Sequence, residues 1–102
     1  MIDLAALQET FARKILYYTV HAQEQMAVRQ IRDVEIREAI LGQQSSIIEQ
    51  YPKDKYSPSC LVYGVTKSGR ILHVQTNDQG VMITVYEPDL VRWQDDLKTR
   101  RR

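Results

Sequence analysis

Few side chains in this sequence could move a proton or hold an anion near neutral pH. There are two histidines, His21 and His73, and histidine is the side chain that titrates nearest neutrality. His73 lies in the run Arg70-Ile71-Leu72-His73-Val74, with Tyr86 further along the chain. A cation near a histidine and a tyrosine is one way to stabilise a charged phosphorane. His21, Gln25 and Arg29 stand at i, i+4 and i+8, so a helix would place them on one face. The planar fork of Arg29 suits a phosphate. Each residue also has a plainer reading. His73 could be a half-buried sheet histidine bonded to Thr84, His21 a second capping group, and Arg70 a solvated residue at a strand end. Asp54 and Lys55 read as solvent-facing, Met26 and Trp93 as core. The sequence has no glycine-rich phosphate loop, metal-spaced cluster, nucleophile elbow or paired-carboxylate motif, so neither cofactor nor metal is expected.

The elements that must position these residues change period at Gly42. Before it the spacing is helical. Asp3 can cap a helix with Leu4, Leu7, Phe11 and Ile15 on one face. Leu16–Val20 reads as a short strand or the entry to the next helix. Thr19 is a candidate cap for Val20–Gln30 and Asp33 for Val34–Leu41, with Gly42 as the stop. After Gly42 the pattern alternates, predicting strands at Ser46–Tyr51, Ser59–Thr66, Arg70–Thr76 and Val81–Glu87. Pro88 breaks the last strand, and Asp89 can cap a short C-terminal helix carrying Leu90, Trp93 and Leu97.

If Ser68-Gly69 and Asp78-Gln79 are two-residue hairpin loops, His73 pairs with Gly64 on one side and Thr84 on the other. Leu61, Tyr63, Val65, Leu72, Val74, Val81, Ile83 and Val85 then form an apolar face for the helices. The opposite face carries Val62, Gly64, Ile71, His73, Gln75, Met82, Thr84 and Tyr86. That face is expected to be open, with Gly64 leaving room beside His73. Its apolar members would suit a covering partner. The fold class expected is α+β: N-terminal helices on a four-stranded antiparallel sheet with a short C-terminal helix. The chain reads as one domain over 1–102, divided into an N-terminal helix (1–15), a core (16–88) and a C-terminal helix with a basic tail (89–102).

Composition sets the outer limits. Of 102 residues, 43% are hydrophobic and 26% charged, an ordinary globular balance rather than that of disorder. No apolar run approaches the roughly 20 residues of a membrane span, and the first residues lack a signal-peptide pattern. The single cysteine, Cys60, permits neither an internal disulfide nor a thiolate zinc site, and this suits a reducing cytoplasm. The net charge of +1 is unlike that of a polycation, so any nucleic-acid site should be local. The basic tail Lys98-Thr99-Arg100-Arg101-Arg102 reads as a solvated, frayed end.

Several stretches together carry a resemblance. They are Tyr18–Ala22 with Met26, Arg29 and Ile31, then Ile47–Pro52, Pro58–Val62, Gly69–Val74 and Ile83–Asp89. In order and spacing they resemble an uncharacterised bacterial toxin-like domain family, often encoded beside antitoxins bearing a zinc finger of the MqsA/YgiT kind. That family is similar to the RelE/MqsR toxins, small ribonucleases with helices on an antiparallel sheet. The resemblance implies a type II toxin that cleaves RNA without a metal, by attack of the 2′-hydroxyl on the adjacent phosphate. It implies His73, Arg70, Tyr86 and His21 as catalytic residues, with Arg29 and Thr84 on the substrate. Implied partners are RNA and a cognate antitoxin, with the zinc-finger type as one candidate, and no membrane. The alternative is a non-enzymatic protein-binding or regulatory module on the same fold, or an inactive relative in which His73 is merely packed.

Overall fold

Capping and apolar spacing account for three helices in the computed structural model, which describes residues 1–13, 15–55 and 57–102. In α1 (Leu4–Arg13) the Asp3 carboxylate accepts the backbone N–H of Ala6 at 3.0 Å, while Leu7 and Phe11 are buried. Ile15, expected on that buried face, lies past the helix and is exposed. Thr19 caps α2 (Val20–Arg29) by accepting from Ala22 N at 3.0 Å. The cap of α3 (Asp33–Leu41) differs from expectation. Arg32 is the N-cap residue, and Glu35 reaches back to accept the Arg32 N–H at 3.0 Å. Asp33 is the first helical residue and pairs with Arg37 instead.

The sheet has five strands and is mixed, not four strands and antiparallel. In chain order they are β1 (Tyr17–Tyr18), β2 (Ser46–Tyr51), β3 (Ser59–Val65), β4 (Ile71–Asn77) and β5 (Val81–Tyr86). In space they run β1-β5-β4-β3-β2, with β1 parallel to β5 and the remaining pairs antiparallel. Two tyrosines were enough to add an edge strand, through Tyr17 N to Gly80 O and Thr19 N to Met82 O, each 3.0 Å.

The register differs from the two-residue-loop reading for a specific reason. Both hairpin loops contain three residues, 67–69 and 78–80, and each ends on a glycine with positive φ: Gly69 at 89° and Gly80 at 83°. Such loops need an αL residue, which glycine supplies without steric penalty. The extra residue moves β3 by one position against β4. His73 therefore pairs with Tyr63 rather than Gly64, and Leu61 and Tyr63 join the His73 face. Val62 and Gly64 turn to the helices instead. A Cβ on Gly64 would lie 2.2 Å from the Ala39 carbonyl oxygen, so this glycine admits α3, not a substrate.

Between β4 and β5 a bulge near Gln75/Thr76 adds a second shift. The two shifts add in register, so His73 pairs with Tyr86 rather than Thr84, but together they restore the facing of the far end of β5, where Thr84 and Tyr86 share the His73 face as expected. Before the bulge only one shift applies. Met82 is fully buried in the helix-side core, while Val81 and Ile83 are only partly buried. The mixed apolar surface expected around Val62 and Met82 is therefore absent, because both side chains lie in the core with Cys60, Leu72, Val74 and Val85.

The segment after β5 forms no helix. Asp89 does accept two backbone N–H groups, from Val91 and Arg92, but the chain then makes turns and an isolated bridge between Trp93 and Arg100. This strap lies on the sheet face opposite the helices. Its basic end is anchored rather than frayed: Arg100 pairs with Glu49 through two hydrogen bonds, 2.7 and 3.0 Å, and Arg101 donates to Leu90 O at 2.6 Å. No helix among the described residues is long and apolar enough to cross a membrane.

Candidate functional site

The strap determines what His73 can do. The imidazole is fully buried, with the Trp93 ring edge-on at 4.4 Å and the Tyr86 ring at 5.3 Å. Nε2 lies 2.6 Å from the carbonyl oxygen of Leu97, which can only accept, so Nε2 carries the proton. Leu97 holds a left-handed conformation (φ 55°), unusual for a branched residue. Nδ1 is then unprotonated and accepts from the Tyr86 hydroxyl at 3.2 Å. Burial lowers the His73 pKa from its usual value, and this favours the neutral ring. The expectation of an open His73 face is corrected: the strap covers it.

Arg70 is similarly occupied. One guanidinium nitrogen donates to Gln30 O at 2.9 Å and approaches Glu35 at 3.3 Å. The other donates to Arg29 O at 2.7 Å and to Glu87 at 2.9 Å. It thus ties the C-terminal carbonyls of α2, the first turn of α3 and the end of β5. Its own pKa is raised, first through the Glu87 hydrogen bond.

The other residues named from sequence do converge. His21, Arg29, Thr84 and Tyr86 line a mostly polar cleft of about 380 Å³ between α2, the distal half of β5 and the strap. The i, i+4, i+8 stripe of α2 forms one wall, and Arg29 Nε donates to Gln25 at 2.9 Å. His21 is exposed, and its capping alternative is filled by Thr19. The strap contributes Arg92, Trp93 and Arg100, which the sequence reading left out of the site. The guanidinium of Arg100 lies 4.6 Å over the Trp93 ring and is neutralised by Glu49. Glu49 in turn accepts from the Tyr51 hydroxyl, and burial pushes the Tyr51 pKa up to about 12.

Two lining arginines, Arg29 and Arg92, form no ion pair among the described residues, whereas the lining carboxylate of Glu87 is paired with Arg70. Asp89, also in the wall, is occupied by the two N–H groups of its turn. The uncommitted charge in the cleft is therefore mainly cationic. With an exposed imidazole and a hydroxyl backed by a buried one, the arrangement can hold a phosphate and exchange protons at it. Arg92 is the one basic residue of Asp89-Leu90-Val91-Arg92, and reading that segment as a helix hid its place in the site. Cys60 is no nucleophile: it is fully buried, and burial pushes its thiol up to about 12. Among the described residues, no group of three or more His, Cys, Asp or Glu side chains is arranged to hold a metal ion.

Residues 18–87 match the family model described as "Domain of unknown function (DUF4258)". No curated protein and no solved structure matches the chain.

Proposed function

The chain belongs to the DUF4258 family, and on that premise we propose that it is a metal-independent endoribonuclease, the toxin of a type II toxin–antitoxin pair acting in the cytoplasm. The observation that carries this reading is the convergence of His21, Arg29, Thr84 and Tyr86 on one cleft, together with the unpaired Arg92. These residue types are those that 2′-hydroxyl attack on a phosphodiester requires. Arg29 and Arg92 hold the scissile phosphate and stabilise its extra charge. His21 gives a proton to the leaving oxygen. Tyr86 meets the substrate at the second proton position, and His73 acts through it. As Tyr86 takes a proton from the substrate, it passes its own to the free Nδ1 of His73. His73 and Arg70 are thus positioning residues in this reading, and the RelE/MqsR-like likeness is part of the proposal. A cognate antitoxin would cover the cleft. Its docking is supported by the exposed apolar side chains of Ile15, Tyr17, Val20 and Val28 rather than by the sheet.

The burial of His73 under the strap favours a second reading, a non-enzymatic binding module that uses the same cleft. Induction in a bacterial host, followed by incubation of the purified chain with total RNA, separates the two. The toxin reading predicts growth arrest relieved by the neighbouring gene, and RNA fragments with 2′,3′-cyclic phosphate ends. No cleavage, with or without ribosomes, would leave the binding module.

A further inference from the structure

A second cavity, about 470 Å³ with mostly apolar walls, lies on the same sheet face over the proximal half of β5. Its floor is Val81 and Ile83, its rim includes Ser57 and Asn77, and His21 lines it as well as the polar cleft. The bulge creates it. The extra residue of a bulge is left unpaired, so Ile83, between Met82 and Thr84, lines this cavity instead of entering the core. The result is a groove along β5, apolar at one end and cationic at the other, with a histidine between. The rim also offers hydrogen bonding. Ser57 Oγ accepts from Asn77 Nδ2 at 3.2 Å and retains its own proton as a donor.

We propose that this cavity is the nucleobase subsite of the cleft, so that the substrate is single-stranded RNA with one base splayed out of its stack beside the scissile phosphate. The inference rests on the ribonuclease reading and deepens it. A nucleotide is the ligand whose parts match the groove in order. Its flat apolar ring with a polar edge meets Val81, Ile83, Ser57 and Asn77, its ribose meets His21, and its phosphate meets Arg29 and Arg92. Single-stranded recognition works in this way, on unstacked bases rather than on a helix. A duplex would keep its bases out of the cavity.

The test measures binding of the full chain to short fluorescent RNAs carrying a 2′-deoxy residue at the cleavage position. One strand is intact, one has a single abasic site moved along its length, and one is annealed to its complement. The expected result is a position at which the abasic strand binds roughly 5- to 150-fold more weakly, the range for losing one base contact, and weak binding of the duplex. Ile83→Ser should lower affinity for the intact strand but not for the strand already abasic at that position. The abasic comparison requires no protein variant, so instability of Ile83→Ser would not obscure it. Equal binding of intact and abasic strands at every position would overturn the subsite while leaving the ribonuclease reading standing. No binding of any strand would overturn both.

Discussion

At the scale of single residues, the pair His73 and Tyr86 makes the sharpest predictions. The folded protein holds His73 neutral, with its pKa lowered mainly by burial, whereas the unfolded chain protonates it near the usual value of 6.5. Between these two values the unfolded state binds more protons, so stability rises with pH in that window. The stability is fully present above about pH 6.5 and is lost as pH falls through the folded pKa. Melting temperatures across this range should show that limb, and His73→Gln should remove it. Tyr86→Phe keeps the ring packing and deletes only the hydroxyl. It should slow cleavage by about 100-fold or more, and it should lower stability by about 1–3 kcal/mol because His73 Nδ1 loses its donor. A variant as fast as the wild type would exclude Tyr86 from proton transfer.

Arg70 belongs to the same scale but to a different role. Arg70→Ala should lower unfolding free energy by about 1–3 kcal/mol, the usual range for losing charge-assisted hydrogen bonds, as measured by urea denaturation. If activity fell with no change in stability, the clamp assignment would be wrong and Arg70 would contact substrate. Reading Arg70 as a phosphate ligand was reasonable from Arg70-Ile71-Leu72-His73 alone. The pattern cannot show that Glu35 and Glu87, far away in sequence, arrive at the same guanidinium.

At the scale of elements, the strands and helices were largely legible because their signals are local. Ser46–Tyr51 is reproduced residue for residue, and Thr19 caps the helix it was expected to cap. What was not legible depended on counting across turns. A loop ending in glycine after Ser68 or after Gln79 can hold two residues or three, and parity decides which face each side chain joins. Gly64 records the outcome, since it permits α3 to pack against β3. Gly64→Ala should destabilise by about 1–3 kcal/mol through overpacking, with the cost read from the denaturation midpoint. A neutral result would mean that α3 does not sit on β3 at this position. The strap was misread as a helix because Asp89 offers genuine capping bonds, yet only a turn follows. Leu90 stays exposed while Trp93 is buried against His73. Trp93→Ala should cost about 3–5 kcal/mol, as large core truncations do, and should expose His73 to solvent.

At the scale of the whole molecule, the net charge of +1 is compatible with a nucleic-acid site because the charges around the cleft are unevenly paired. Glu35, Glu49 and Glu87 each face an arginine, leaving Arg29 and Arg92 to give the cleft its sign. Of the six site residues named from sequence, four meet in that cleft and two stand behind it. Side-chain burial by a distant segment separated the two groups, and neither spacing nor composition reports that. The most direct measurement of the account is the single-turnover cleavage rate of His21→Ala on RNA, with its melting temperature taken alongside. His21 is exposed and its helix is capped by Thr19, so the fold should be untouched. The rate is predicted to fall by roughly 100- to 10,000-fold, the typical cost of losing a general acid or base. Cleavage at the wild-type rate by an equally stable variant would contradict it.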